Sequence, residues 1–225
     1  MINNNIPVIA IDGPSASGKG TVARFVAEVL GFHYLDSGVL YRLVALEAMQ
    51  AKINLNDEES VENIARHLNV KFSDKRIKLR EKDVTDLVRN EIYGNAASKI
   101  AGHLKLREAL LNRQRAFRQD PGLVADGRDM CSVVFPNATL KIFLTASVEI
   151  RAERRYKQLM EKGGDVNITM IMKDIESRDM RDSVRSIAPL KQDKDSNLID
   201  TTFMGIDEVV NKILECYFEV NIKNA

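Results

Sequence analysis

The chain has 225 residues, 44% hydrophobic and 29% charged, with a formal net charge of +1. That balance suits one main globular core with room for a small inserted domain, and it excludes an overall basic field for nucleic acid or anionic membrane, so any cationic site must be local. No apolar stretch approaches the ~20 residues of a transmembrane helix, and two distant cysteines, Cys131 and Cys216, make neither a disulfide framework nor a zinc set.

The opening "MINNNIPV" has neither a basic segment nor an apolar one, so no signal peptide is predicted and the expected location is cytoplasmic. "PVIAID" (7–12) is a buried strand, and residues 19–30 form a helix stopped by Gly31. "FHYLD" (32–36) is a second strand and "GVLYRLVALEAMQ" (38–50) a second helix. Residues 53–67 form a short helix with an acidic start. "VKFSDKRIKLREKDVTDLV" (70–88) carries period-2 patches broken by "SDK" and "REKD", the pattern of a small antiparallel sheet. "GLVADG" (122–127) and "TLKIFLTA" (139–146) are further strands. A helix over 147–164 has Ser147 as its N-cap and Gly163-Gly164 as its stop. "SNLIDTT" (196–202) and residues 206–220 are a last strand and helix. Strands alternating with helices predict an α/β fold, a parallel five-stranded sheet with helices on both faces. His33, His67 and His103 are isolated from one another and predict no metal site.

"GPSASGKGT" (13–21) lies between the first strand and the first helix. Glycine-rich backbone at a helix start gathers N–H groups around one point, and the helix dipole favours an anion there. Gly13, Gly18 and Lys19 fit the phosphate-loop spacing, with Lys19 placed for the β- and γ-phosphates of a nucleotide. Gly20 stands where that pattern has a hydroxyl, and Thr21 follows one residue late. "GKGT" is similar to the loops of nucleoside monophosphate kinases. There the nucleotides supply most oxygens around Mg²⁺, with Thr21 as a further candidate ligand.

A phosphate loop says nucleotide, not reaction. The arginines say more. Tyr41 and Arg42, in "LDSGVLYR" with Ser37, fall on the first turn of a helix at the carboxyl edge of the sheet, where ligands bind in open α/β folds. Asp126, Arg128 and Asp129 end a strand on a glycine turn. Arg151, Arg154 and Arg155 share a helix face, and Arg178, Arg181, Asp182 and Arg185 repeat the spacing. Each group alone is an ordinary salt-bridged surface. Beside a phosphate loop they fit phosphoryl transfer between two polyanions, which needs fixed positive charge and no added nucleophile.

"GPSASGKGT", "YLDSGVLYR", "NAASKIAGHLKLREALLNRQRAF", "LVADGRDM…VVFP", "KIFLTAS" and "RD…RD…R…APL" occur in order over nearly the whole chain. Together they resemble the bacterial-type cytidylate kinases, which phosphorylate CMP and dCMP with ATP and Mg²⁺. The resemblance implies a P-loop kinase core over 1–52 and 96–225, an inserted monophosphate-binding domain over 53–95, and a helical lid over about 151–189. It implies that Gly13, Pro14, Ser15, Ala16, Ser17, Gly18, Lys19, Gly20 and Thr21 hold ATP, and that the arginines of 151–155, Arg154 among them, and Arg181 belong to the lid. It places Ser98, Arg107 and Asp129 on cytosine, Arg42 and Arg128 on the acceptor phosphate, and Arg178, Asp182 and Arg185 at the sugar. Ser37, Tyr41 and Asp126 complete the expected CMP site. Lys19, Arg128, Arg178, Asp182 and Arg185 are the expected catalytic set. Ala16-Ser17 and "MCS" (130–132) depart from the commoner Gly-Ala and Met-Gly-Thr.

The alternatives are a P-loop kinase for another acceptor (UMP, AMP, dTMP or shikimate), a GTP-hydrolysing switch, and a nucleic-acid binder. The switch needs a guanine-reading N-K-x-D motif, which the chain lacks. The binder would use Lys75, Arg76, Lys78, Arg80 and Lys82, but acidic residues interrupt that run and only Phe72 is near for stacking. The expected partners are ATP and CMP or dCMP, with no nucleic acid and no membrane, and the expected state is a monomer.

Overall fold

The computed structural model describes residues 6–73, 76–161, 163 and 166–224. By contacts the chain divides into two compact units, residues 1–35 with 115–225, and residues 36–114.

The larger unit is built on a five-stranded parallel sheet of β1 (Val8–Asp12), β2 (His33–Asp36), β6 (Leu123–Gly127), β7 (Leu140–Thr145) and β8 (Asn197–Asp200), in the order β2-β6-β1-β7-β8. β1 is central and buried along its whole length. That explains its unbroken apolar run, since helices cover both faces of such a sheet. Its register sets Asp12 beside Gly127 of β6 and Phe143 of β7, so β1 and β6 end together while β7 runs two residues further. The helices α1 (Lys19–Leu30) and α8 (Ile206–Asn224) pack on the sheet through Val22, Val26, Val209, Ile213 and Tyr217. A separate cluster joins α6 (Val148–Met160) to α7 (Ile168–Val184) through Ala152, Ile171 and Ile175.

Ser147 caps α6 as expected, accepting from the Ile150 amide at 3.4 Å. The helix stops at Met160 rather than at 164, and Gly163 takes a left-handed φ of 76°. Gly164 lies outside the described residues. Asn167 then caps α7, its side chain accepting from the Thr169 amide at 2.8 Å.

The smaller unit holds α2 (Ser37–Gln50), α3 (Glu58–Arg66), α4 (Glu91–Ile100), most of α5 (Leu104–Arg115), and an antiparallel sheet in the order β3 (Val70–Ser73), β4 (Arg76–Leu79), β5 (Lys82–Asp83). It spans residues 36–114, where an inserted domain is expected over 53–95, and within it α2 packs along α4. Of the "SDK" turn, Asp74 and Lys75 lie outside the described residues. The "REKD" turn narrows to Arg80-Glu81, both at positive φ. On this sheet Lys71 pairs with Glu81 at 2.6 Å, Arg76 with Asp83 at 3.8 Å, and Arg80 with Glu47 at 2.7 Å. These carboxylates answer the basic residues, as the sequence pattern predicts. No helix among the described residues is long and apolar enough to cross a membrane.

Candidate active site

The loop after β1 begins at Gly13. A Cβ there would stand 2.0 Å from the Leu144 carbonyl oxygen, so only glycine lets the chain pass so close to β7. At its other end Gly18 takes φ 91° and delivers Lys19 to the start of α1. Lys19 is 8% exposed, and its Nζ donates to the Pro14 carbonyl at 3.0 Å. A lysine that bridges its own loop in this way is already folded over the place where an anion would lie. The hydroxyls of Ser15 and Ser17 are buried and have no hydrogen-bond partner among the described residues. Buried hydroxyls in that state are a cost to the fold unless a ligand or water meets them.

Two arginines of α6 support this loop. Arg151, 4% exposed, donates to the Ala146 carbonyl at 3.0 Å and the Ser15 carbonyl at 3.1 Å, and pairs with Asp179 of α7 at 2.6 Å. Arg154 donates to the Ser17 carbonyl at 3.3 Å, the Thr201 hydroxyl at 2.9 Å and the Thr201 carbonyl at 2.6 Å. Arg151, one of the arginines expected in the lid over 151–155, has its charge committed to Asp179 and the two carbonyls inside the fold. Burial lowers the pKa of Arg154, with Asp200 opposing. Arg155 donates to Gln158 and Arg181 to Ser177, both on exposed helix surface.

The second group of charges follows β6. Asp126 is buried and accepts from the Tyr34 hydroxyl at 2.7 Å. A Cβ on Gly20 would lie 3.5 Å from Asp126 Oδ2, so this carboxylate borders the first turn of α1. Arg128 donates from Nε to Asp182 Oδ2 at 2.7 Å, and Arg185 stands 4.0 Å from Asp182 Oδ1. Burial works against the charge on Arg128, but Asp182, Asp126 and Asp179 outweigh it and raise its pKa. Arg178 pairs with Asp174 at 3.2 Å, and burial lowers its pKa. Arg128, Arg178, Asp182 and Arg185 are therefore gathered into one network within the larger unit. Asp129, next to Arg128, is buried.

In the smaller unit Ser37 opens α2 under the cap of Asp36, whose side chain accepts from the Val39 amide at 3.2 Å. Arg42 donates to the Val88 and Asn90 carbonyls at 3.2 and 3.1 Å. Arg107 is buried, donates to the Ala101 carbonyl at 3.0 Å and lies over the ring of Tyr41 at 5.8 Å. Ser98 is half-buried on α4.

Three participants escaped the sequence reading: Asp12, Tyr34 and Thr201. Asp12 and Thr201 stand at or just past strand ends, where a polar residue signals only a turn. Their partners, Met130 and Cys131 for Asp12 and Ser17 for Thr201, are more than a hundred residues away.

The cytidylate kinase family model matches residues 9–219. A cytidylate kinase of Nitrosomonas europaea (strain ATCC 19718 / CIP 103999 / KCTC 2705 / NBRC 14298) is 58% identical over 219 residues, covering 97% of this chain and 98% of that one. One of Ralstonia pickettii (strain 12J) is 56% identical over 218 residues, covering 97% and 94%. Among solved structures, a gluconokinase from Sinorhizobium meliloti 1021 is similar in fold over 97% of this chain and 98% of its own, with a TM-score of 0.50 at 14% identity.

Proposed function

The chain belongs to the cytidylate kinase family, and we propose that it transfers the γ-phosphoryl group of ATP to the phosphate of CMP or dCMP, releasing ADP and CDP or dCDP. The observation that carries this reading is the shared end of two strands. β1 and β6 finish in register at Asp12 and Gly127, so the phosphate loop and the Arg128-Asp129 turn leave the sheet side by side. A donor cradle and an acceptor arginine begin one strand spacing apart, about 5 Å.

An acceptor phosphate oxygen attacks the γ-phosphorus in line. A new P–O bond forms as the bond to the β,γ-bridging oxygen breaks, and ADP leaves with that electron pair. The acceptor phosphate has a second pKa near 6 and is ionised at neutral pH, so no base is required. Lys19 exchanges the Pro14 carbonyl for phosphate oxygens, and the Ser15 and Ser17 hydroxyls are available to meet the same anion. Arg128 holds the acceptor phosphate through a bidentate fork, kept charged by Asp182. Arg42 is proposed for the same phosphate, Ser98, Arg107 and Asp129 for cytosine, and Arg178, Asp182 and Arg185 for the sugar. Arg154, holding Ser17, and Arg181 are proposed on the ATP side.

Mg²⁺ fits as an ion carried by the nucleotide. No group of three metal-binding side chains occurs among the described residues, while Asp126 borders Gly20, the neighbour of Thr21. Thr21 and Asp126 would hold the ion directly or through water, and it would supply charge neutralisation at the phosphates.

Phosphorus NMR of the protein with ATP, Mg²⁺ and CMP tests the reading. ADP and CDP resonances growing in equal amounts are expected. Free phosphate growing with no CDP would mean a hydrolase and would overturn it.

A further inference from the structure

Asp12 is a charged side chain that the reaction above does not use. It is the last residue of β1, directly before Gly13, and only 2% exposed. Its Oδ1 accepts from the Met130 amide and its Oδ2 from the Cys131 amide, both at 2.8 Å. Its backbone is in register with Gly127 of β6. The chain therefore leaves Asp12 at residue 127 and returns to it at residues 130 and 131. Arg128 and Asp129 are the two residues held between those anchor points.

We propose that Asp12 is a positioning residue that closes the Arg128-Asp129 turn and so sets where the acceptor phosphate and cytosine are met, while the donor loop starts at the very next residue. The assignment rests on the proposed kinase activity. It explains why a carboxylate is kept in so dry a place. A carboxylate gives each of the two amides its own acceptor oxygen. An asparagine would accept one and set its own N–H₂ against the other, leaving a buried donor unmet. Burial pushes the Asp12 pKa up to about 6, against the pull of the two amides and with Asp129 adding repulsion. A residue needed only to end a strand would not have to bear that cost. The Cys131 side chain completes the closure. Its thiol, with one proton to give, lies 3.5 Å from the Ala10 carbonyl and 3.7 Å from the Ile142 carbonyl, and donating to either ties the turn back onto β1 or β7.

The test is Asp12→Asn in the full-length protein, with Asp12→Glu as second variant, measuring kcat/KM for CMP and UMP and calorimetric Kd for ATP. In the Asn variant kcat/KM for CMP should fall about 10-fold or more, on the scale of one buried group left unsatisfied. The CMP-over-UMP ratio should shrink, and Kd for ATP should stay within about twofold. The Glu variant keeps both acceptor oxygens and should recover part of the ratio. If the Asn variant does not fold, the Glu variant carries the comparison, since a carboxylate displaced by one methylene must still shift the turn and lower the ratio from wild type. Equal losses toward ATP and CMP, or an unchanged CMP-over-UMP ratio, would overturn the proposal and leave Asp12 as a strand-end residue. Wild-type turnover of CMP reports on the kinase reading alone, so the two can fail separately.

Discussion

Asp182 of α7 accepts from Arg128 at 2.7 Å while Arg185 stands 4.0 Å from its other oxygen, so one buried carboxylate holds two arginines that arise on different elements. Asp182→Asn keeps the shape and one acceptor but removes the charge. The arginines then repel without compensation. We expect kcat/KM for CMP to fall by about 10- to 100-fold, within the range for charge-assisted pairs. Steady-state kinetics at saturating ATP check this, and wild-type values would remove Asp182 from the acceptor network.

Lys19 lies folded onto Pro14, so its removal should leave the loop standing. Lys19→Met should lower kcat by about 10² or more, the range for a group that meets charge developing in the transition state. Its melting temperature should remain near wild type. Near-normal turnover in this variant would take the loop out of the mechanism.

Arg151 makes the opposite prediction. It is itself nearly out of water, donates to two carbonyls and pairs with the partly exposed Asp179. Arg151→Met strands the Ser15 carbonyl and leaves the Asp179 carboxylate to its partial exposure, at about 2–3 kcal/mol, below the cost of breaking a fully buried pair. The melting temperature should drop by several degrees, and KM for ATP should rise more than KM for CMP. Arg151→Lys should recover little, since one ammonium cannot reproduce the fork that spans three acceptors. Thermal melts of both variants decide it.

Asp12 carries a pH signature in stability. Its folded pKa of about 6 lies above the ordinary aspartate value of 3.8, so between those values the folded state binds more protons than the unfolded one. Stability from this group therefore rises as pH falls through that window and declines as pH rises. Between pH 7 and pH 5 the wild type should gain about 1 kcal/mol relative to Asp12→Asn, which does not titrate there. Urea denaturation of both proteins at the two pH values measures the difference, and no change would mean that Asp12 keeps its charge without strain.

What the sequence made legible was local. The strand–loop–helix over residues 7–30 is written in one unbroken segment, and observed β1 and α1 fall within a residue of the expected ends. Ser147 announces α6 because a cap and its helix are neighbours. The helices α4 and α5 are not delimited by the sequence pattern: α4 buries mainly small residues, Gly94, Ala96 and Ala97 with Ile100, and the buried face of α5 includes Arg107 and Gln114, polar residues that the fold takes inside. The same limit hides what the arginines do. Spacing puts Arg151 and Arg154 on one helix face, but only the packed chain brings the Ser15 and Ser17 carbonyls to them across more than a hundred residues. The clamp of Asp12 on Met130 and Cys131 is invisible for that reason too, since nothing near "AID" points to "MCS".

We propose that this kinase reads cytosine through Asp129 beside Arg128. Cytosine offers an N4 amino donor where uracil offers an O4 acceptor, so on this proposal the acceptor oxygens of Asp129 would meet one and repel the other. On the same proposal Arg107 would donate toward N3 or O2 of cytosine, whereas N3 of uracil carries its own proton. Each mismatch leaves a buried group unpaired at about 1–3 kcal/mol. The most direct measurement is kcat/KM by coupled ADP release with ATP against eight ribo- and deoxyribonucleoside monophosphates. CMP and dCMP should lead, with CMP ahead of UMP by about 10²-fold or more. UMP, AMP or dTMP phosphorylated as well as CMP would contradict the claim.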